Sequence, residues 1–239
     1  MEGRTSSKER MAGGLPWRLF EGQLLHILLL AALLLPVVLL SQEPAVVEGQ
    51  LWGLSAATWL WLTVAAAILH QGYVWLVWRL ELHAGTVSRA FPDKGFRLFT
   101  AGFKLLGLGR WSVVPLAVAN RGTLELPGVV QWGVSALFVL LSGYLFYSVL
   151  RYFGMDRGMG LDHFDPAARE WPLVEEGIFR YTANGMYVFG FLALWVPGLF
   201  LESAGALLAA GFQHAYIWVH FHCTEKPDME HIYGDAPAG

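Results

Sequence analysis

The chain has 239 residues, 55% hydrophobic and 15% charged, and carries a formal net charge of −3. So apolar and charge-poor a composition excludes an ordinary soluble domain, because the surplus apolar surface has to face lipid. The negative balance, without a basic run, leaves no footprint for nucleic acid, and the single cysteine, Cys223, excludes an internal disulfide.

Residues 1–21 read as a polar cytosolic segment, with Trp17, Arg18, Phe20 and Glu21 forming an interfacial turn at its end. The first apolar run, 22–42, is longer than the core of a cleaved signal, contains Pro36 and meets no small-x-small site, so it is expected to stay as a signal-anchor helix. A short far-side loop with Pro44 leads to a second run, 49–78, long enough to tilt, which ends at Arg79 and Glu81. The third, 96–120, is interrupted by Lys104, Gly107, Gly109 and Arg110 and bent by Pro115, so it spans or re-enters. The fourth, fifth and sixth runs are 126–150, 181–201 and 203–224, the last two joined by a tight turn as a helical hairpin.

The expectation is therefore an all-α polytopic membrane bundle of about six helices, five to six according to the third run. It comprises an N-terminal segment (1–21), a membrane domain (22–224) and a C-terminal tail (225–239). Lysine and arginine sort by side under this reading. The N-terminus, the loop around Arg89, the loop from Arg151 to Arg180 and the tail hold nearly all of them. Arg121 alone falls opposite, while Lys104 and Arg110 lie inside the third run. By the positive-inside rule both termini and both polar loops are cytosolic, so segments far apart in sequence can converge on one membrane face.

Four patches differ from lipid-facing filler. Arg79, Glu81, Ser88, Arg89 and Phe91 follow the second run and read either as snorkelling charge at a helix end or as a site for a lipid phosphate. Glu175, Glu176, Gly177 and Arg180 precede Asn184, Gly185, Met186 and Tyr187 at the fifth run, where a ligand can meet free amides at a helix start. His214, Trp218, Phe221 and Glu225 fall at spacings of four, three and four, one helical stripe expected to face the bundle interior. Glu225, Pro227, Ile232 and Tyr233 make the tail look like an ordered flap. His220 and His222 point to different faces of a helix and no repeated histidine box is present, so no metal is expected.

In order, spacing and side of the membrane these patches resemble the phosphatidylethanolamine N-methyltransferases, relatives of the isoprenylcysteine carboxyl methyltransferases. The resemblance covers roughly residues 72–234. It rests on Arg79-x-Glu81, Ser88-Arg-Ala-Phe91, Tyr152-Phe-Gly154, Gly177-x-Phe179, Asn184-x-Met-Tyr187, Glu225-x-Pro227 and Ile232-Tyr233. The chain departs from the family in having Gly185 where a proline is usual and Glu225-Lys226 where animal members pair two acids. The family's Gly-x-Gly cofactor element before Tyr152 is not evident.

The resemblance implies S-adenosylmethionine as cofactor and phosphatidylethanolamine as substrate, handled at the cytosolic face of a bacterial inner membrane or endoplasmic reticulum. It implies a cofactor site built from Glu225, His214, Asn184, Tyr187, Arg180 and Gly177. His214 and Glu176 are the candidate proton acceptors, and Arg79, Glu81, Ser88 and Arg89 the lipid contacts. Two alternatives stand beside it: carboxyl methylation of a prenylated cysteine or other lipid, and a non-enzymatic lipid-binding subunit.

Overall fold

The computed structural model of the protein describes residues 15–234. Arg4, Lys8 and Arg10 and the last five residues of the tail, on which part of the charge argument rests, lie outside the described residues. Helix α1 (Leu15–Phe20) leads through a turn with left-handed Gly22 into α2 (Gln23–Leu40). A one-turn helix α3 (Pro44–Val47) and a two-residue antiparallel hairpin, β1 (Gln50–Leu51) with β2 (Leu54–Ser55), follow. This hairpin departs from the all-α expectation. It forms because Gly49 and Gly53 take positive φ, which lets the chain turn back on itself.

The second long helix, α4 (Ala56–Ala84), accordingly starts later than its apolar run and ends later. The Ser55 hydroxyl accepts from the Thr58 amide at 3.1 Å to cap its start, and left-handed Gly85 ends it. The helix continues through Arg79 and Glu81 because both charges find partners inside the protein. A short α5 (Thr86–Ala90) lies across its end, and the Glu81 carboxylate accepts from the Val87 and Ser88 amides at 2.8 and 3.0 Å.

The third run is helical throughout: α6 (Gly95–Gly109), a 3₁₀ turn at Arg110–Ser112, and α7 (Val113–Ala119). A π turn (Val129–Val134) opens α8 (Ser135–Ser148), and a second (Val149–Phe153) closes it. The loop behind it carries α9 (Met155–Gly158) and three 3₁₀ turns. The fifth run is divided into α10 (Gly185–Phe189), a 3₁₀ turn (Gly190–Leu194) and α11 (Val196–Phe200). Last, α12 (Ala204–His220) passes through a π turn (Phe221–Glu225) directly into α13 (Lys226–Tyr233). What the sequence presents as a flap is the continuation of that helix.

Among the described residues three helical stretches are long and apolar enough to cross a membrane: Trp17–Leu40, Ala56–Ala84 and Val129–Phe153. The rest of the expected spans are helical too, but shorter or interrupted. Helix α12 is the hub, packed on α2, α4, α7 and α11. Ala206, Ala209 and Ala210 on α12 and Ala56, Ala67 and Ala117 on its neighbours are fully buried, and such small residues let helix backbones approach closely. Helix α8 packs instead on α10, α11 and the turn between them.

The end of the bundle opposite Glu225 is tied by one side chain. Asn120 donates to the Ala45 and Glu48 carbonyls at 3.0 and 2.9 Å. Its carbonyl accepts from Thr123 Oγ1 (3.1 Å), Ser203 Oγ (2.8 Å) and the Gly205 amide (2.8 Å). Truncation would strand several buried polar groups at once, each costing about 1–3 kcal/mol. Asn120→Ala should therefore lose more than about 2 kcal/mol of stability in thermal or denaturant unfolding in detergent. A loss within about 0.5 kcal/mol, as for an ordinary surface change, would contradict the role.

Candidate active site

Between the α4/α6 side of the bundle and α8 with α10 lies a cavity of about 310 Å³. Its walls are mainly apolar and sulfur-bearing, among them Val74, Phe103, Leu145, Met155, Met159, Met186 and Ile217. Polar groups enter at few points: Tyr187 and Glu225, and His70, Gln71, Arg110 and His220. This is the size and composition of a small-molecule site, apolar with a few fixed polar contacts. A wider hollow of about 780 Å³ lies at the opposite end, between Ala45–Leu51 and Val118–Thr123, and contains none of the expected site residues.

The Tyr187 hydroxyl donates to the Glu225 carboxylate, joining the start of α10 to the end of the π turn. Trp218 and Phe221 close on the Tyr187 ring at 5.8 and 5.5 Å between centroids, so the phenol has little freedom to swing away.

Directly behind Glu225 stands a buried ionic cluster. Arg79, 1% exposed, pairs through Nε with Asp228 on α13. The other Asp228 oxygen lies 3.4 Å from His163 Nε2, and His163 Nδ1 lies 3.1 Å from Asp162. Tyr233 donates to the second Asp162 oxygen at 2.9 Å. The His163 ring stacks on Trp78 at 4.2 Å. A Cβ at Gly160, where φ is +81°, would run into that indole, so this turn needs glycine on two counts. Burial alone would push the His163 imidazole down, but its contacts with Asp162 and Asp228 outweigh burial and raise it to about 9.

Of the expected cofactor residues the cavity receives Glu225 and Tyr187. His214 lies outside its lining: Nδ1 accepts from Trp195 Nε1 at 3.2 Å, and the ring stacks on Phe191. Asn184 starts α10, and Gly177, with φ +62°, opens a 3₁₀ turn whose Ile178 amide donates to Ser148. Glu176 and Arg180 are exposed on the adjoining loop. Among the expected lipid contacts Arg79 is enclosed in the ionic cluster and Glu81 holds α5, whereas Ser88 and Arg89 lie on that short helix, Arg89 exposed. Among the described residues no group of three His, Cys, Asp or Glu is placed to hold a metal ion.

The sequence reading did not single out Arg110, His70 or His220 as site residues. Their signal was present, since an ionisable side chain inside an apolar run faces a cavity or a partner more often than lipid.

Comparison with known proteins adds one finding. Residues 130–236 match the phospholipid methyltransferase family. Neither the curated proteins nor the solved structures contain a match to the chain. The matched region runs from the π turn that opens α8 to the tail, and so includes Tyr187, Glu225 and the acidic half of the ionic cluster. The match covers less than half of the chain and marks a similarity to that family, in a protein whose described residues also include three helices long and apolar enough to cross a membrane. The rest of the cavity wall, with Arg110 and His70, comes from α4 and the third run, outside the matched region.

The cluster gives a pH dependence of definite sign. The folded protein holds the His163 proton more tightly than an imidazole of ordinary value 6.5, so its contribution to stability is complete below about 6.5 and lost as pH rises through about 9. Unfolding followed in detergent between these limits should show stability falling with pH, and the fall should flatten in His163→Gln. An equally steep profile in the variant would show that another group is responsible.

Proposed function

We propose that the protein is an S-adenosylmethionine-dependent N-methyltransferase acting on phosphatidylethanolamine at the cytosolic membrane face, within a bundle of about six crossings with both termini cytosolic. The observation that carries this reading is the Tyr187–Glu225 pair, within the matched region, opening on an apolar cavity. The sorting of basic residues to one side supports the orientation.

The residues present fit such a cofactor. The cavity offers a carboxylate for a positive charge, rings and methionine sulfurs for a flat, polarisable body, and buried donors on Arg110 and His70 that lack acceptors. When bound, the cofactor supplies a methyl group on a positively charged sulfur. Attack by a neutral amine forms the N–C bond as the C–S bond breaks, the sulfur keeps the electron pair, and a proton leaves the nitrogen. The protein's part is mainly orientation, because in-line displacement gains most from positioning.

Glu225 places negative charge at the cavity, and the Tyr187 hydroxyl fixes the carboxylate in one orientation. His214 accepts from Trp195 and stacks on Phe191, bracing the turn that follows α10. Asn184 and Gly177 shape the approach to α10, and Arg180 lies beside them on the loop. An ammonium has to lose its proton before it attacks. His214 lies outside the cavity lining with Nδ1 held by Trp195, and we take the exposed Glu176 on the adjoining loop as the acceptor. Ser88 and Arg89 supply the interfacial contacts for a lipid phosphate, while Arg79 and Glu81 anchor the helices that carry them.

Glu225→Gln keeps size and removes charge, and loss of a charged contact costs about 1.5–3 kcal/mol, roughly ten- to a hundredfold in affinity. Calorimetric titration of the purified protein with S-adenosylmethionine should show that loss, and unchanged affinity would reject the assignment. Incubation with methyl-labelled cofactor and a lipid panel should yield phosphatidylethanolamine heavier by whole methyl groups in mass spectrometry. Turnover confined to a prenylcysteine substrate would instead establish the carboxyl methyltransferase reading.

A further inference from the structure

Deep in the cavity, away from the acidic cluster, lies a group of buried donors with nothing to accept from them. Arg110, 6% exposed, lies about fifteen residues into the third run and lines the cavity. Its Nε donates to Gln213 Oε1 at 3.0 Å, its Nη1 lies 3.4 Å from His70 Nδ1, and its guanidinium carbon sits 4.8 Å over the Phe191 ring. Nη2 is buried without a partner, and no carboxylate pairs with Arg110 among the described residues.

The tautomer of His70 follows from chemistry. Arginine only donates, so His70 Nδ1 is the acceptor and the ring proton resides on Nε2. That Nε2 is likewise buried and unpartnered. His220, 2% exposed and also lining the cavity, has neither ring nitrogen bonded, and one of them bears a proton in either neutral tautomer. Three side chains from α4, the third run and α12 thus bring buried donors and one full positive charge to one wall.

A buried guanidinium without a counter-charge is costly, and buried donors without acceptors add to the cost. The arrangement is rational if a ligand brings the missing charge and acceptors. We propose that this wall is an oxyanion receptor: Arg110 Nη2, with His70 Nε2 and His220, binds a carboxylate or phosphate group of the ligand that fills the cavity. The inference deepens the proposed function and rests on it for the identity of the two sources, the amino-acid carboxylate of the cofactor or the phosphate of the lipid. Glu225 and Arg110 then give the cavity one anionic and one cationic pole, which orients any ligand carrying both charges.

The test uses the full chain in nanodiscs with two pairs of probes: S-adenosylhomocysteine against 5′-methylthioadenosine, which lacks its carboxylate, and short-chain phosphatidylethanolamine against diacylglycerol, which lacks the phosphate. Arg110→Gln should weaken binding of the anion-bearing probe about ten- to a hundredfold and leave its anion-free analogue unchanged. Arg110→Lys should recover part of the loss. Selective loss of S-adenosylhomocysteine assigns the receptor to the carboxylate, and selective loss of the phospholipid assigns it to the phosphate.

His70→Phe keeps the ring packed against Phe103, 4.6 Å away, and should weaken the same probe in case Arg110 variants do not fold. Equal affinities of wild type and folded variants for both anionic probes would overturn the proposal, as would a wild type that binds neither. A wild type that binds the phospholipid in an Arg110-dependent way but no adenosyl compound would keep the receptor and reject the methyltransferase reading.

Discussion

The contact on which the rest of this structure depends is the buried pairing of Arg79 with Asp228, extended to His163. Arg79 lies in the last two turns of α4, Asp228 in α13 and His163 in the loop after α8, so one carboxylate joins three parts of the chain that are distant in sequence. Pairs of this kind gain little net stability over a hydrophobic replacement, yet losing one partner costs about 3–5 kcal/mol because the other charge is left in the interior. Their value is specificity of arrangement. Asp228 follows Glu225 by three residues, and Trp78 adjoins both Arg79 and the cavity. The ion cluster therefore fixes where the carboxylate end of the cavity stands and where the Trp78 wall runs. The further bonds from Arg79 to the Arg18 and Thr224 carbonyls bring the N-terminal segment to the same point.

The two polar poles of the cavity are held by different means. At Glu225 the acceptor is satisfied within the protein, by Tyr187. At Arg110 it is the aromatic face of Phe191 and the neutral oxygen of Gln213 that hold the guanidinium, and among the described residues no carboxylate pairs with it. A site built this way sacrifices stability in the empty state for affinity when filled, as binding sites commonly do. The apolar walls make the sacrifice effective, since a charge contact is worth more where water is excluded.

Much of the fold was legible in the sequence because the bilayer imposes length and composition on the elements that face it. The run ending at Arg79 and the one holding Tyr187 were marked by hydropathy and by family motifs alike. Other features were hidden because they depend on contacts between distant residues. Nothing local reveals that Arg79 meets Asp228, and its charge read equally well as a lipid contact. Arg110 and His70 fall outside the matched region, and an ionisable side chain within an apolar run signals an inward face without saying what it meets there. Glu225 and Tyr187 stood out because the motif carried them, but their direct bond is a product of how α10 meets the end of the sixth run.

The phase of that sixth run explains the divergence between His214 and Glu225. An uninterrupted α-helix puts His214, Trp218, Phe221 and Glu225 on one stripe, since each step is three or four residues. The chain turns instead through a π segment at Phe221–Glu225, whose wider turn takes in about one more residue and retards the helix by roughly 100°. Glu225 thereby falls in line with His220, five residues before it, and with Ile217, and these three line the cavity. His214 is left on the flank, bonded to Trp195. A periodicity of 3.6 cannot anticipate such a step, because the extra residue is set by packing: the fully buried Thr224 hydroxyl meets Gln23 at 3.2 Å while Tyr187 takes the Glu225 carboxylate. The π turn is thus what turns a structural helix into one wall of the site, and it does so by breaking the pattern from which the stripe was read.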